Sequence, residues 1–479
     1  YFGKSADELS VHEAATLATL PRAPSYYSPY GGNREALKAR QQAILKIMEQ
    51  KGFITQKELE NNLDKKISVE PFNQDIKAPH FVFYVRNILS QKLGQKRLQK
   101  GGLRVTTTLD YELHQKAQEI VKKHVEEEVE AYGGSNAALG AVDPKTGDIL
   151  TMVGSRDYYS KKIDGQVNIL SSLQSPGSSM KPFVYGSGFE KGYNPQTNMF
   201  DVPTNFGGGY RPENFDGEYR GPVSIRTALV RSLNIPAVKA LHLTGIGDYF
   251  KFARDLGISN YTSSVMQEAS LSAAIGGASL KPIEEIGAYG TLADSGMHDP
   301  LTAIKSVKTN QGTVPEPFKD RREERRVIEK QAALQVTDIL SEASGVPSSM
   351  QISGVDVASK TGTSQDFRDS LTMGYTTNLA AGVWTGNNDN TPMNQGAYGS
   401  KVAGPMWKDF MQTALDHLES SPERFEEPVP ANTDKPMLNG EYVFKETVKV
   451  NRLTGKRASE NTPPQLVEER TYKQVHNIL

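Results

Sequence analysis

The 479-residue chain contains no cysteine, and it has no long uninterrupted run of apolar residues. The lack of cysteine excludes disulfide bonds, thiolate catalysis and zinc sites with cysteine ligands. No stretch approaches the roughly 18–20 apolar residues that span a bilayer, so the sequence predicts no transmembrane helix. Neither sign of charge is in excess, because 55 lysine and arginine residues stand against 56 aspartate and glutamate residues. This balance gives no indication of nucleic-acid binding.

The chain also lacks a signal peptide, since its opening residues, YFGKSADELS, are typical of the interior of a protein. We therefore interpret residue 1 as a truncation point, and we expect any membrane anchor to lie upstream of it. Hydrophobic residues make up 37% of the chain, which is typical of a folded globular protein. The length is sufficient for roughly two to four domains.

Residues 1–65 are predicted to be helical. Ser10 with Glu13 forms a capping box that begins one helix, and Thr55 with Glu58 forms another. The apolar residues between these caps recur at helical spacing. We expect this segment to be a small helical part of the molecule.

The three later segments differ in composition. Residues 66–134 mix a basic helix, a threonine-rich strand and a helix rich in charge, and we interpret them as an interdomain linker region. Within residues 135–418, AALGAVD and DILTMVGS flank a Pro/Gly turn and predict a β-hairpin. Strands and helices then alternate irregularly, which indicates an α+β fold. Residues 419–479 begin as a proline-rich linker and end in a short β-like tail.

Three short motifs follow one another in the α+β region: Ser178-Ser179-Met180-Lys181, Ser232-Leu233-Asn234 and Lys360-Thr361-Gly362-Thr363. Each motif alone is weak evidence, because short triplets recur by chance. A second Lys-Thr-Gly begins at Lys145, and a second Ser-x-Asn begins at Ser459. The order and spacing of the three motifs carry the signal, and Ser178 begins the only Ser-x-x-Lys of the chain.

Ser178 and Lys181 are the candidate nucleophile and base. Residues three apart on a helix share a face, and a serine hydroxyl becomes a nucleophile when a base takes its proton. At a helix start, Ser178 also meets the positive end of the helix dipole, which favours a developing oxyanion. A second cation, Lys360, would lower the pKa of Lys181 by like charge and desolvation, leaving a neutral amine that acts as base.

The second motif predicts a proton relay and a substrate contact. Ser232 is placed to pass a proton between the lysines and the leaving group, and Asn234 offers an amide to a peptide substrate. The backbone N–H groups of Ser178 and Thr363 are the candidate oxyanion hole.

The third motif predicts a binding strand. Lys360, Thr361 and Thr363 would present a cation and hydroxyls to a substrate carboxylate. Gly362 would let the substrate backbone lie close to the strand, as a glycine in a strand often indicates. No metal ligand is predicted in the site.

The order Ser-x-x-Lys, Ser-x-Asn, Lys-Thr-Gly resembles the signature of penicillin-binding proteins and serine β-lactamases. Over about residues 135–415 the surroundings are similar to the transpeptidase domain of class A penicillin-binding proteins, in QSPGSSMKPF, RPENFDGEYRGPVSIRTALVRSLNIPAVKAL, LSAAIGGASLKPIEEIGAYGTLADSG and KTGTSQDFRDSLTMGYTTNLAAGVWTGNND. The N-terminal YFGKSADELSVHEAATLATLPRAPSYYSPY resembles the closing third of the family's peptidoglycan glycosyltransferase domain. The resemblance implies a fold like that of serine β-lactamases, with an antiparallel sheet flanked by helices, a mainly helical subdomain and a helical glycosyltransferase remnant in residues 1–65.

The resemblance also implies an activity. We expect a D,D-transpeptidase or carboxypeptidase that attacks the D-Ala-D-Ala end of peptidoglycan stem peptides through Ser178 and that β-lactams acylate. The expected partners are stem peptides, β-lactam antibiotics and the cell-wall synthesis machinery, at the extracytoplasmic face of the bacterial cell membrane. No cofactor is expected for transpeptidation, while a divalent metal is compatible with the missing glycosyltransferase part.

Two features depart from the family pattern. The family's two catalytic glutamates precede the matching N-terminal segment, so we expect the parent protein, but not this chain, to polymerise glycan strands. Leu371 stands where relatives often carry an aromatic residue that lines the region beyond the third motif. We therefore expect acceptor-side contacts to differ.

Two other functions stay open at this point. A β-lactamase would need an acid that activates water for deacylation, and Glu268, Glu284 and Glu285 lie between the second and third motifs in helical contexts that favour structural roles. A non-catalytic β-lactam sensor or scaffold would keep the fold and bind without turnover. The lifetime of a penicilloyl adduct distinguishes a β-lactamase from a penicillin-binding protein, because the first hydrolyses the adduct quickly and the second retains it.

Overall fold

The computed structural model describes most of the chain: residues 1–70, 76–318, 324–441 and 443–475. Its contacts divide it into two compact units, Tyr1–Lys77 and Ala78–Leu479. All the site residues predicted from the sequence lie in the second unit.

The first unit contains three α-helices: α1 (Val11–Leu17), α2 (Arg34–Gln50) and α3 (Gln56–Leu63). Ser10 and Thr55 cap α1 and α3 as predicted, each accepting a hydrogen bond from the backbone N–H of the glutamate three residues on. Ala15, Leu45 and Leu59, one from each helix, form part of a small core. The predicted helical character of this segment therefore agrees with the structure.

The second unit contains the remaining elements. Its α-helices are α4 (Pro79–Leu93), α5 (Gln95–Gln99), α6 (Tyr111–His124), α7 (Lys181–Phe189), α8 (Ile225–Val230), α9 (Asn234–Thr244), α10 (Ile246–Asp255), α11 (Ser263–Ala269), α12 (Pro282–Ala293), α13 (Lys330–Leu340), α14 (Gly399–Val402) and α15 (Gly404–His417). Its strands are β1 (Leu103–Thr107), β2 (Asn136–Val142), β3 (Ile149–Val153), β4 (Asn198–Asp201), β5 (Gly221–Ser224), β6 (Met297–His298), β7 (Ile304–Thr309), β8 (Arg325–Arg326), β9 (Ala358–Thr363), β10 (Asp369–Tyr375), β11 (Ala380–Gly386), β12 (Val443–Asn451) and β13 (Val467–Val475).

The central sheet has five antiparallel strands in the order β3-β2-β11-β10-β9. Strands β2 and β3 form the predicted hairpin. Strand β9, which carries the third motif, lies at the edge of this sheet and pairs with β10. An antiparallel sheet with helices on both faces confirms the predicted α+β fold class.

The two faces of the sheet carry separate cores. Along β2, Ala138 belongs to the main core together with α7, α9, α12 and α13, whereas Ala137 and Leu139 belong to a second core with α6 and α15. This alternation follows from the two-residue period of a strand. Because both faces are covered, β2, β10 and β11 are buried at every position.

The segment 66–134 differs from its prediction as an interdomain linker. From Ala78 onward it is part of the second unit: Phe81 and Val85 of α4 lie in the main core, and Val121 of α6 lies in the second core. Strand β1 pairs with β7. The charged residues that dominate the composition lie on the exposed faces of amphipathic helices, and for this reason the segment looks like a connector in the sequence.

After α15 the chain has no regular secondary structure until the 3-10 turn Pro436–Asn439. Strands β12 and β13 then pair as an antiparallel hairpin, in the region predicted to be a β-like tail. Among the residues described, no helix combines the length and the apolar character needed to cross a membrane.

Candidate active site

Ser178 lies in a single 3-10 turn, Gly177–Met180, which continues directly into α7. Helix α7 begins at Lys181, so the two residues are one turn apart at the start of a helical segment, as their spacing predicts. Ser178 is half-buried. Its hydroxyl forms no hydrogen bond with the described part of the chain, and it is therefore available to a ligand.

Two glycines let this turn lie against the third motif. A methyl group on Gly177 would come within 2.5 Å of the Thr363 carbonyl oxygen, and the φ of Gly177 is 56°, a conformation that favours glycine. A methyl group on Gly362 would overlap the Pro176 carbonyl oxygen. In the structure, Gly362 therefore allows β9 to approach the turn of Ser178, and its predicted role toward a substrate stays a prediction.

The side chain of Lys181 is completely buried. Its Nζ donates to the Ser232 carbonyl oxygen at 2.5 Å and to Asn234 Oδ1 at 2.7 Å, and it lies 3.4 Å from Ser232 Oγ. Desolvation first, and the like charge of Lys360 second, lower the pKa of Lys181 well below its ordinary value. Both predicted causes are present, and burial is the larger.

Ser232 links the two lysines. Its Oγ accepts a hydrogen bond from Lys360 Nζ at 2.9 Å and is also within reach of Lys181. Lys360 donates in addition to the Thr361 carbonyl oxygen at 3.0 Å, and burial lowers the pKa of Lys360 to about 8. The φ of Ser232 is 55°, a left-handed conformation that costs a non-glycine residue roughly 1–3 kcal/mol and that is often found at functional sites.

The side-chain amide of Asn234 has protein partners at both ends, since Oδ1 accepts from Lys181 and Nδ2 donates to the Glu213 carbonyl oxygen at 2.8 Å. Asn214 accepts from the Asn234 backbone N–H at 2.8 Å and donates to the buried Asp201 carboxylate at 2.7 Å. Asp201 therefore anchors, through Asn214, the residue that holds Lys181. This chain of contacts was not predicted from the sequence, in which the segment RPENF, before the second motif, contains Asn214.

Strand β9 also carries Thr361 and Thr363, and both residues are half-buried. Thr363 Oγ1 accepts from the Gly399 backbone N–H at 3.3 Å, which leaves the hydroxyl proton of Thr363 available. The Thr363 backbone lies against Gly177, the residue before Ser178. The two residues predicted to form an oxyanion hole are therefore in adjoining segments.

An aromatic rim, formed by Phe215, Phe367 and Tyr398, was not predicted from the sequence. The Phe215 side chain is 68% exposed, and its ring centroid is 6.0 Å from that of Phe367 and 5.3 Å from that of Tyr398. The Phe367 and Tyr398 centroids are 5.4 Å apart. Phe215 directly follows Asn214, and Phe367 follows the third motif, so the rim connects the flanks of the second and third motifs.

Leu371 is completely buried in the main core. It is paired with Gly362 on one side and with Trp384 on the other, in the middle of the sheet. The expectation that this position shapes acceptor contacts is wrong, because a strand covered on both faces sends its side chains into a core.

The molecule is thus an α+β protein whose polar motifs, from three distant parts of the chain, meet between a buried helical turn and the edge strand of an antiparallel sheet. The family model described as penicillin binding protein transpeptidase domain matches residues 137–412, and the chain belongs to this family. A second model, transglycosylase, matches residues 1–49. The two matches in one chain confirm the resemblance to class A penicillin-binding proteins.

Two curated relatives illustrate the similarity. Penicillin-binding protein 2D of Bacillus subtilis (strain 168) is 32% identical over 439 residues, which cover 87% of this chain and 60% of the relative. Penicillin-binding protein 1C of Escherichia coli (strain K12) is 32% identical over 425 residues, which cover 88% of this chain and 51% of the relative. The chain therefore spans between half and two thirds of the length of these relatives.

Solved structures share the fold. The crystal structure of penicillin-binding protein 1A from Haemophilus influenzae has a TM-score of 0.71 at 20% identity, covering 99% of this chain and 87% of that chain. The PonA1 protein from Mycobacterium tuberculosis, in complex with penicillin V, has a TM-score of 0.64 at 25% identity, covering 74% of this chain and 97% of that chain. These neighbours confirm the predicted penicillin-binding fold.

Proposed function

We propose that the chain is a serine D,D-transpeptidase that cross-links peptidoglycan stem peptides, with a carboxypeptidase reaction when water replaces the acceptor amine. The observation that carries the proposal is the Ser232 hydroxyl, which lies within hydrogen-bond reach of both Lys181 and Lys360. Two buried ammonium groups around one hydroxyl are unfavourable, so one amine is neutral. A neutral amine one helical turn from Ser178 meets the requirement for activating a serine.

The hydrogen bonds of Lys181 support its role as the base. A neutral lysine amine has two N–H groups and one lone pair. The Ser232 carbonyl oxygen and the Asn234 amide oxygen take the two N–H groups, at 2.5 and 2.7 Å. The lone pair is then left for a hydroxyl proton, either from Ser178 directly or through the Ser232 hydroxyl.

In the reaction that we propose, Ser178 Oγ attacks the carbonyl carbon of the penultimate D-Ala, and Lys181 takes the hydroxyl proton. The N–H groups of Ser178 and Thr363 stabilise the oxyanion. The tetrahedral intermediate then breaks its C–N bond, and the leaving D-Ala amine receives a proton through Ser232. An acceptor amine attacks the resulting ester, forms the new amide and releases Ser178, which regains a proton from Lys181 after that lysine has taken one from the amine.

The third motif would hold the free carboxylate of the donor peptide. Lys360 carries a positive charge below about pH 8, and the hydroxyls of Thr361 and Thr363 are half-buried beside it. A β-lactam carries a carboxylate and a strained amide that can take the place of the peptide. The complex of the similar PonA1 protein with penicillin V supports the acylation of Ser178 by β-lactams.

The acids between the second and third motifs support a transpeptidase rather than a β-lactamase. A β-lactamase needs a carboxylate that activates water at the acyl-enzyme. Glu268 is exposed on α11, and the Glu284 carboxylate is held by the Ser259 backbone N–H and hydroxyl. Burial raises the pKa of Glu285 to about 8, so it is a neutral acid at neutral pH.

For the whole protein we propose a second activity and a cellular setting. The transglycosylase match to residues 1–49 supports a parent that also polymerises glycan strands. Such a protein would work with the cell-wall synthesis machinery at the extracytoplasmic face of the bacterial membrane. The match includes no pair of acids suited to this reaction, so we expect the present chain not to form glycan polymer from a lipid-linked disaccharide-peptide.

The test is intact mass spectrometry of the chain after incubation with penicillin. The wild-type protein should gain one penicilloyl group and should release D-Ala from a stem pentapeptide. Ser178→Ala should do neither. Ser187→Ala, a buried serine of α7 outside the motifs, is the matched control and should be labelled normally. Undiminished labelling of Ser178→Ala would overturn the proposal.

The lifetime of the adduct distinguishes the remaining functions. An adduct that persists for hours together with D-Ala release supports the transpeptidase. Loss of the adduct within seconds would indicate a β-lactamase, and a stable adduct without any turnover of stem peptide would indicate a sensor or scaffold.

A further inference from the structure

Helix α9 starts at Asn234, the residue whose side chain accepts a hydrogen bond from Lys181. The residue before it, Leu233, has no polar side chain and provides no cap in the described structure. The first backbone N–H groups of a helix have no partner within the helix, and a serine, threonine, asparagine or aspartate at the cap position usually accepts from them. The start of α9 therefore needs an acceptor from another segment.

Asn214, in the loop between β4 and β5, supplies that acceptor. Its Oδ1 accepts from the backbone N–H groups of Asn234 at 2.8 Å and of Ile235 at 3.4 Å. The Asn214 side chain thus replaces a cap residue, although it lies 20 residues before the helix. Because Asn214 and Ile235 are buried, loss of the asparagine oxygen would leave a buried N–H group without a partner, at a cost in free energy.

Asp201, the last residue of β4, determines which way the Asn214 amide points. Asn214 Nδ2 donates to Asp201 Oδ1 at 2.7 Å and to Oδ2 at 2.9 Å, and also to the Glu218 carbonyl oxygen at 2.8 Å. The Arg220 backbone N–H donates to Asp201 Oδ2 at 3.0 Å, so both oxygens of this completely buried carboxylate are acceptors. An amide oxygen cannot face acceptors, and the Asn214 oxygen must therefore face the start of α9.

The two shortest hydrogen bonds of Lys181 Nζ both end at the start of α9. One acceptor is the amide oxygen of Asn234, the first residue of the helix, and the other is the carbonyl oxygen of Ser232, two residues earlier. These bonds set the direction of the lysine lone pair. If the start of α9 loses its cap, both acceptors can move together, and a misplacement of about 1 Å can cost roughly a hundredfold in rate.

We propose that Asp201 and Asn214 are positioning residues for the base Lys181. The Asp201 carboxylate orients the Asn214 amide, and this amide caps α9. The capped helix in turn holds Asn234 Oδ1 against the lysine amine. The inference rests on the proposed function, in which Lys181 takes the proton of the attacking hydroxyl. Because both residues act through the start of α9, their loss should slow the formation of the acyl-enzyme bond.

The first test is Asp201→Asn, since asparagine has nearly the shape of aspartate. The new amide nitrogen would face either Asn214 Nδ2 or the Arg220 backbone N–H, donor against donor. The Asn214 amide then turns or shifts, and the cap of α9 weakens. In a stopped-flow experiment with a fluorescent penicillin at neutral pH, well below the thermal midpoint of the variant, the maximal acylation rate should fall by about ten- to a hundredfold. Asp338→Asn, the same substitution at the partner of Arg226 on α8, should leave the rate near that of wild type.

Exchanging the two side chains separates orientation from a general loss of packing. Asn214→Asp alone sets a second carboxylate against Asp201 and should also slow acylation. In the double variant Asp201→Asn with Asn214→Asp, the carboxylate at position 214 accepts from the start of α9 and from the amide at position 201, whose oxygen accepts from the Arg220 N–H. Only the Glu218 carbonyl oxygen loses its donor. The double variant should therefore be acylated at least about tenfold faster than Asn214→Asp, a coupling typical of residues that share a hydrogen-bond network.

Hydrogen exchange followed by mass spectrometry reports directly on the cap. Peptides that cover the start of α9 should exchange faster in Asp201→Asn than in wild type, and the exchange should return toward the wild-type rate in the double variant. A wild-type acylation rate in Asp201→Asn, slow acylation with unchanged exchange at α9, or a folded double variant no faster than Asn214→Asp would each overturn the inference. A single variant that does not fold, beside a double variant that folds and is labelled, supports it. A wild-type protein that penicillin does not label at Ser178 defeats the proposed function as well.

Discussion

Lys181 and Lys360 contact the same hydroxyl, that of Ser232, but different causes lower their pKa values. Burial lowers the pKa of Lys360 to about 8. Burial first, and the like charge of Lys360 second, lower the pKa of Lys181 well below its ordinary value. In the mechanism proposed above, Lys181 is the neutral amine, and Lys360, with a pKa of about 8, is the cation at neutral pH. The proposal therefore gives the roles of base and of carboxylate-binding group to different residues of the same chemical type.

Replacing Lys181 with alanine should slow acylation by penicillin by roughly 10²–10⁴-fold, because a placed general base contributes about that factor. The concentration of penicillin that gives half the maximal rate should change little. Stopped-flow acylation with a fluorescent penicillin measures both quantities. Lys239→Ala removes another buried lysine, on α9, and should leave the rate near that of wild type. A loss of less than about tenfold in Lys181→Ala would mean that another group, such as Ser232, takes the proton.

Acylation should weaken as pH rises past about 8, because Lys360 then loses the proton that attracts the ligand carboxylate. The decline should appear in the affinity for penicillin as a rising half-saturation concentration. A penicillin methyl ester has no carboxylate, so its weaker binding should not change in the same range. An ester that shows the same decline would contradict the assignment of Lys360 to the carboxylate.

The loop before β5 organises the site at the scale of secondary structure elements. It supplies Asn214, which holds the start of α9 against Asp201, and Phe215, which belongs to the aromatic rim. The loop therefore connects the segment that holds Lys181 with the segment beyond the third motif. Both Asn214 and Phe215 belong to the loop rather than to a helix or strand.

Phe215→Ala should weaken the binding of penicillin and of stem peptide by about two- to tenfold, because its exposed ring can contact a bound ligand and an aromatic contact contributes about 0.5–1.5 kcal/mol. The maximal acylation rate should be nearly unchanged, because Phe215 does not contact the lysines. Phe53→Ala, which removes another strongly exposed phenylalanine in the first unit, is the control. Equal half-saturation concentrations for the two variants would exclude a role of the rim in binding.

Gly362→Ala should impair the site through packing. The added methyl group would overlap the Pro176 carbonyl oxygen, and overpacking of this kind costs about 1–3 kcal/mol. We expect a lower thermal midpoint together with slower acylation, because β9 and the turn of Ser178 are pushed apart. Gly247→Ala on α10 has no atom within 4 Å of the added methyl group and should leave both values unchanged or slightly raise the midpoint. Normal acylation of Gly362→Ala would contradict the proposed packing role.

At the scale of the whole molecule, the site belongs to one unit. The main and second cores lie on the two faces of a sheet within the unit that begins at Ala78. The first unit has its own small core. Among the described residues, the buried members of the main and second cores come from the second unit.

A protein that begins at Ala78 should fold and be acylated by penicillin at a rate within about twofold of the whole chain. The physical reason is that the apolar faces of its elements are buried within the unit. Thermal unfolding followed by circular dichroism and labelling with fluorescent penicillin measure the two properties. A protein that begins at Gly102 would lack α4, with Phe81 and Val85 of the main core, and should be destabilised. Equal stability of the two proteins would contradict the assignment of α4 to the main core.

Much of the fold could be predicted because it depends on short-range patterns. Capping boxes at Ser10 and Thr55 marked two helices, and the turn between β2 and β3 marked a hairpin. The segment 66–134 could not be assigned in this way, since exposed charged residues on α4 and α6 mask the faces that enter the cores. The burial of Leu371 could not be predicted for a related reason, because it depends on the elements that cover the sheet.

The sequence by itself determined the family, the motif residues and the one-turn spacing of Ser178 and Lys181, since these depend on residue identity and on distances along the chain. Only the tertiary structure decided that Lys181 is completely buried beside Ser232, that Gly362 faces the turn of Ser178 and that Glu285 is a buried acid with a raised pKa. These properties are set by desolvation and close packing, which sum over neighbours supplied by segments far apart in the chain. No local sequence pattern reports the total desolvation and packing at a residue. Both are defined only when the sheet and its helical layers come together.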